Sequence, residues 1–141
     1  MAEKPAGVTS GIRAGTKHEE KLLVTSEVAI DFLGVEGARV LSTPQMIGHM
    51  EKTARNSVIP LLEPGHDTVG TMVHVFHLAA APMGATVTFR SEVIAAEDRR
   101  IMFRVEAFNE GEKIGEGTHE RAVINVARFA AKMQAKASRQ G

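Results

Sequence analysis

The chain has 141 residues, with 17 Lys plus Arg set against 17 Asp plus Glu, and this balance gives no electrostatic reason to expect nucleic acid or a membrane surface as partner. It contains no Cys, which excludes a disulfide framework, a thiolate metal site and a Cys nucleophile, and no Trp or Tyr, two common anchors for stacking on bases and sugars. No apolar run approaches the ~18 residues of a membrane span, and the first twenty residues lack a signal-peptide core, so a cytoplasmic location is expected.

The length suits one domain. Residues 1–17, rich in Gly, Ala, Thr and Lys without periodicity, read as a flexible N-terminal arm ahead of a single domain at 18–138. The segment "EKLLVTSEVAIDFL" is strand-like but irregular. A helix is expected over "STPQMIGHMEKTARNSVIPLLEPG", with Thr43 as N-cap and Pro44 at the first helical position. Its apolar residues Met46, Ile47, Met50, Ala54, Val58, Leu61 and Leu62 recur at three- and four-residue steps. At roughly 100° per residue, Glu51 falls inside that apolar arc, between Ile47, Val58 and Leu62, whereas Gln45, His49, Lys52 and Asn56 face away. Pro64 and Gly65 close the helical region.

Strands follow in series. "TVGTMVHVFHLAAA" is β-branched and apolar; "ATVTFRSEVIAAE" alternates Val87, Phe89, Ser91, Val93 and Ala95 against polar neighbours. "RRIMFRVEAF" alternates in the same way, "NEGEK" is a hairpin turn, and "IGEGTHERAVINV" is a further long strand. A short amphipathic segment with Val126, Phe129, Ala130 and Met133 on one side ends the chain before a polar tail. One helix cannot cover both faces of so large an antiparallel sheet. An α+β hot-dog fold, with the sheet wrapped around the central helix and paired with a second copy, solves the burial problem.

Three residues have more than one chemical reading. A carboxylate carried into a core, as Glu51 would be, either finds a donor, such as Arg55 one turn on, or becomes a general base. Thr43 is a helix cap or a hydroxyl at the positive end of a helix, where negative charge on a substrate is stabilised. Eight residues of helix separate the two by roughly 12 Å, so joint action needs a bound substrate, a water or a partner chain between them. His77 is a hydrogen-bonded core residue or a proton carrier. Alternation groups it with Thr71, Val73, Val75 and Ala79, and sends His74 to the opposite face, which disfavours a shared metal. His119 falls with Gly117 and Arg121, and His18, His49 and His66 read as surface or loop residues. Small residues after His77 leave room beside it. The two glycines of "GEGTHERAVI" suggest close approach by another backbone or a ligand. Walker loops, dinucleotide fingerprints and Gly-x-Ser-x-Gly elbows are absent.

Taken in order, "STPQMIGHMEKTARNSVIPLLEPG", "VGTMVHVFHLAAAPMGATVTFRSEV" and "GTHERAVI" with a terminal helix resemble the small hot-dog thioesterases typified by fluoroacetyl-CoA thioesterase, over roughly residues 40–135. The resemblance implies Thr43, Glu51 and His77 as catalytic residues, backbone of Gly70 in the substrate site, and Arg121 organising that site. It further implies an acyl-CoA substrate, no metal or bound cofactor beyond the coenzyme A of the substrate, and a homodimer or tetramer. The stretch before the helix, "VAIDFLGVEGARVL", is several residues shorter than in the fluoroacetyl-specific member and holds only Phe32 where that member has an aromatic lid. Thioester hydrolysis is thus implied, but selectivity for fluoroacetyl groups is not carried over. Two alternatives stand beside this reading: a hot-dog acyl-CoA hydratase or dehydratase, and a non-catalytic dimer that binds acyl-CoA or another small ligand.

Overall fold

The computed structural model describes residues 7–140. Its strands are β1 (Lys17–Leu23), β2 (His66–His77), β3 (Thr86–Glu97), β4 (Arg100–Asn109) and β5 (Glu112–Asn125), and its helices are α1 (Thr43–Val58) and α2 (Val126–Ser138). All strand pairings are antiparallel, in the order β1-β3-β4-β5-β2, so β1 and β2 are the two edges. Strict alternation in β3 and β4 places Val87, Phe89 and Val93 with Ile101, Phe103, Val105 and Ala107 on one face, all buried. Helix α1 lies across that face and contributes Met46, Met50, Ala54 and Val58 to the same core. This is the hot-dog arrangement, with α1 inside the curved sheet. None of the described helices is long and apolar enough to cross a membrane.

The structure departs from the sequence expectations where local patterns mislead. Of the segment read as a flexible arm, residues 1–6 lie outside the described residues. From Gly7 onward, turns seat Ile12 in the core, and the Thr9 hydroxyl donates to the Asp98 carbonyl at 2.9 Å. Strand β1 already begins at Lys17 and pairs with β3 from Lys17↔Glu92 to Leu23↔Thr86, although its polar sequence shows little apolar pattern. After Leu23 the chain leaves the sheet. It returns over the helix start as a strap, held by Ile30 N–H to Val40 O and Leu41 N–H to Ala81 O.

The start of α1 corrects the cap assignment. Ser42 is the N-cap, its Oγ accepting from the Gln45 N–H, and Thr43 is the first helical residue. In β2, a bulge between Gly70 and Met72 resets the alternation. Thr71 does not share the face of His77 as simple alternation implied; its hydroxyl donates to Glu120 Oε2 on the outer face. Gly70, seven residues from His77, is instead brought to the inner face with it, opposite Arg121.

The two glycines of β5 face groups of this same chain rather than a ligand. A Cβ at Gly115 would lie 2.6 Å from Met46 Sδ, and one at Gly117 would overlap the backbone of His74 and Val75.

Candidate active site

Two polar clusters flank α1, both against the edge strand β2. The first is at the helix start. Because Ser42 takes the capping role, the Thr43 hydroxyl is free, and it bonds His77 Nδ1 at 2.8 Å. His77 is the last residue of β2 and pairs with Gly115, whose lack of a side chain leaves Met46 room beneath it. With Nδ1 committed to Thr43, the nitrogen left for chemistry is Nε2, which is buried and has no partner among the described residues. Beside the pair opens a hollow of about 350 Å³, walled by Ile30, Val40, Leu41, Leu78, Ala79 and Ala80. The small residues after His77 are what leave this space.

The second cluster surrounds Glu51. Arg55, the expected i,i+4 partner, turns to Asp67 instead, with Nε to Oδ1 at 2.9 Å and Nη2 to Oδ2 at 2.6 Å. The donor for Glu51 comes from across the sheet. Arg121 Nη1 reaches Glu51 Oε2 at 3.3 Å, while Arg121 Nε and Nη2 donate to the hydroxyl and carbonyl of Thr68 at 2.7 and 2.8 Å. Nη1 also lies 3.2 Å from His119 Nε2, and His119 Nδ1 lies 2.8 Å from the Met72 carbonyl. A carbonyl can only accept, so His119 carries its proton on Nδ1 and accepts from Arg121 through Nε2.

Burial pushes the His119 pKa below its ordinary value; the Met72 bond opposes this, and the neighbouring Arg121 reinforces it. The ring is therefore neutral at pH 7. Burial likewise lowers the pKa of Arg121, with Glu51 and Asp67 holding the cation in place. The carboxylate, by contrast, is 39% exposed at its side chain.

Gly70 closes this cluster. A Cβ there would stand 2.7 Å from Glu51 Oε2, so only glycine lets the carboxylate lie against the strand. Thr68 and His119 carry no motif signal of their own. The one hint was the alternation of Gly117, His119 and Arg121 along β5, which puts an imidazole and a guanidinium on one face two residues apart.

The fold brings Thr43 to His77 and Glu51 to Gly70 and Arg121, but within one chain it does not join these groups. Along α1 they are separated by roughly 12 Å. Along β2, Gly70 and His77 are roughly 20 Å apart at about 3.3 Å per residue. Glu51 has no contact with His77 of its own chain.

With this geometry in view, comparison with known proteins is informative. A family model described as fluoroacetyl-CoA-specific thioesterase matches residues 24–127. The fluoroacetyl-CoA thioesterase of Streptantibioticus cattleyicolor is 36% identical over 132 residues, which cover 89% of this chain and 95% of the relative. A solved structure of a fluoroacetyl-CoA thioesterase superposes with a TM-score of 0.80 at 37% identity, covering 89% of this chain and 97% of the other. A Thermus thermophilus protein described as a thioesterase superfamily member gives a TM-score of 0.83 at 33% identity, covering 92% and 96% of the two chains. The architecture is thus that of the hot-dog thioesterases. The chain belongs to the fluoroacetyl-CoA-specific thioesterase family, which makes its class that of thioester hydrolases.

Proposed function

We propose that the protein hydrolyses short or medium acyl-CoA thioesters as a homodimer, each site combining Thr43 and His77 of one subunit with Gly70, Glu51 and Arg121 of the other. The observation that carries this reading is the bulge in β2, which sets Gly70 and His77 on one face of a free edge. An edge strand of twelve residues, with Val73 and Phe76 exposed, is an invitation to antiparallel pairing. With Thr71 as the extra residue of the bulge, pairing of β2 with its copy about a twofold axis at His74 brings His77 of each chain opposite Gly70 of the other. The two half-sites then complete one another, and the orphaned Nε2 of His77 faces the carboxylate side.

The chemistry divides between the halves. The thioester carbonyl is polarised by backbone N–H groups near the start of α1 and at Gly70. Arg121 fixes the position of Glu51 through its Nη1 donor. Glu51 then accepts a proton from the attacking water, or attacks the carbonyl itself to give an acyl-enzyme that water opens. In both routes the C–S bond breaks and the departing sulfur takes a proton from His77 Nε2, which is replaced by the proton lost from the hydrolytic water, with Thr43 holding the ring through Nδ1. No metal takes part, and coenzyme A enters only as part of the substrate.

The hollow beside Thr43 and His77 receives the acyl group. Phe32, nearly half exposed, is not among its walls. Fluoroacetyl-CoA and acetyl-CoA are accordingly expected to be turned over with kcat/KM values within about tenfold, since one small substituent in an apolar pocket discriminates weakly. The test is thiol release over a panel of short and medium acyl-CoAs. Turnover of at least one member is expected, and turnover of none would overturn the reading in favour of a binding dimer.

A further inference from the structure

A large concavity lies away from Thr43 and Glu51, between α2 and the end of the sheet. It measures about 1130 Å³ and is lined by Arg99, Arg128, Lys132, Lys136 and Arg139, with Phe129 and Met133 on the same wall. Among the described residues no carboxylate lines it, in a chain whose total charge is zero. From Val126 to the end of the chain there is no Asp or Glu at all, and Arg128, Lys132 and Lys136 recur every four residues along one side of α2. None of the three forms an ion pair among the described residues. Arg99 is fixed on the opposite wall, its Nε and Nη2 each donating to the Val123 carbonyl at 3.3 Å.

We propose that this groove binds the phosphorylated nucleotide end of the acyl-CoA substrate. The proposal rests on the acyl-CoA reading above and adds where the distal half of that substrate is held. Its argument is charge complementarity. The nucleotide of coenzyme A carries a pyrophosphate and a 3′-phosphate, and five cations around one groove, none ion-paired among the described residues, suit such a cluster of anions.

Position agrees. His66 and Asn125 line the groove and pair with each other, four residues along β2 and β5 from the Gly70↔Arg121 pair. That is roughly 13 Å at about 3.3 Å per residue, within the length of a pantetheine arm. Phe129 and Met133 supply apolar surface of the kind an adenine ring covers. Both line the groove beside the cations.

The test compares thiol release from acetyl-CoA with release from acetyl-pantetheine, which has the same reacting end and no phosphates. In the doubly reversed variant Arg128→Glu/Lys132→Glu, KM for acetyl-CoA should rise about tenfold or more, with kcat nearly unchanged. The kcat/KM for acetyl-pantetheine should not move. In the unaltered protein, rising salt should raise KM for acetyl-CoA only, a readout that does not depend on how the variant folds. Equal effects on both substrates, or none on either, would overturn the proposal. If the unaltered protein hydrolyses neither substrate, the thioesterase reading fails, and titration with adenosine 3′,5′-bisphosphate decides the groove alone. Saturable binding lost in the double variant supports it; no binding, or binding only to anionic phosphatidylserine vesicles, overturns it.

Discussion

The two clusters beside α1 are built to different tolerances. Arg121 is almost fully buried, and its fork is spread over Thr68, His119 and Glu51, while His119 is itself anchored on the Met72 carbonyl. Every group there is held by at least one other, so the Glu51 carboxylate is positioned before any substrate arrives. The Thr43–His77 pair is a single hydrogen bond at the mouth of an open hollow, with one buried ring nitrogen left over. On the function proposed above, the contrast is a division of labour: a rigid, preorganised charge on one side, and on the other a proton carrier whose second partner comes from the other subunit.

Removing the preorganised charge should have the largest effect. Glu51→Gln keeps an acceptor for Arg121 and should fold, with stability changed by no more than about 1 kcal/mol because the carboxylate is partly exposed. The rate of thiol release should nevertheless fall by about 10²–10⁴-fold, the usual contribution of a positioned base. Full activity in this variant would remove Glu51 from the site.

Displacing the charge instead of deleting it should cost less. Gly70→Ala puts a methyl group 2.7 Å from Glu51 Oε2 and should lower kcat by about 10- to 100-fold, since misplacement of roughly an ångström has effects of that order. An unchanged kcat with normal folding would mean that the carboxylate is not used where it lies.

The smallest effect concerns the support behind the charge. Burial depresses the His119 pKa, so on acidification below about 6.5 the unfolded chain takes up a proton that the folded chain refuses. Folded stability should therefore decline between pH 7 and 5, by at most about 1.4 kcal/mol per pH unit from this group. In His119→Gln, which can still donate to Met72 and accept from Arg121, the acid limb measured by thermal unfolding should flatten. It should not vanish, because burial and then Lys52 also lower the pKa of His49. An acid limb identical in both proteins would show that His119 titrates normally.

The architecture was legible in the sequence because it rests on local periodicity and on a family resemblance, and the same two signals named the residues that the fold gathers beside α1. The misreadings have specific causes. Ser42 and Thr43 are both acceptable caps, and only the position of His77 shows that Thr43 is needed elsewhere. The i,i+4 rule offered Arg55 to Glu51 because it sees only neighbours in sequence; the actual donor, Arg121, is seventy residues away and is supplied by the packing of β5 beneath the helix. Plain alternation put Gly70 and His77 on opposite faces, and the bulge that unites them leaves no signature in "GTMVHVFH" beyond its glycine. Strand β1 begins in "KHEE", where side chains reach polar partners on α1, such as Asn56 Nδ2 donating to Glu20 Oε2 at 2.8 Å, rather than apolar ones.

The central claim is that each site takes its carboxylate from one subunit and its histidine from the other. Mixing Glu51→Gln and His77→Ala proteins after unfolding and refolding them together tests it directly. Each variant alone should be nearly inactive. In a random mixture half of the dimers are mixed, and each of these has one intact and one doubly altered site, so activity should recover to about a quarter of that of the unaltered protein. A mixture no more active than its components, with mixed dimers demonstrably formed, would contradict the account and place the whole site within one chain.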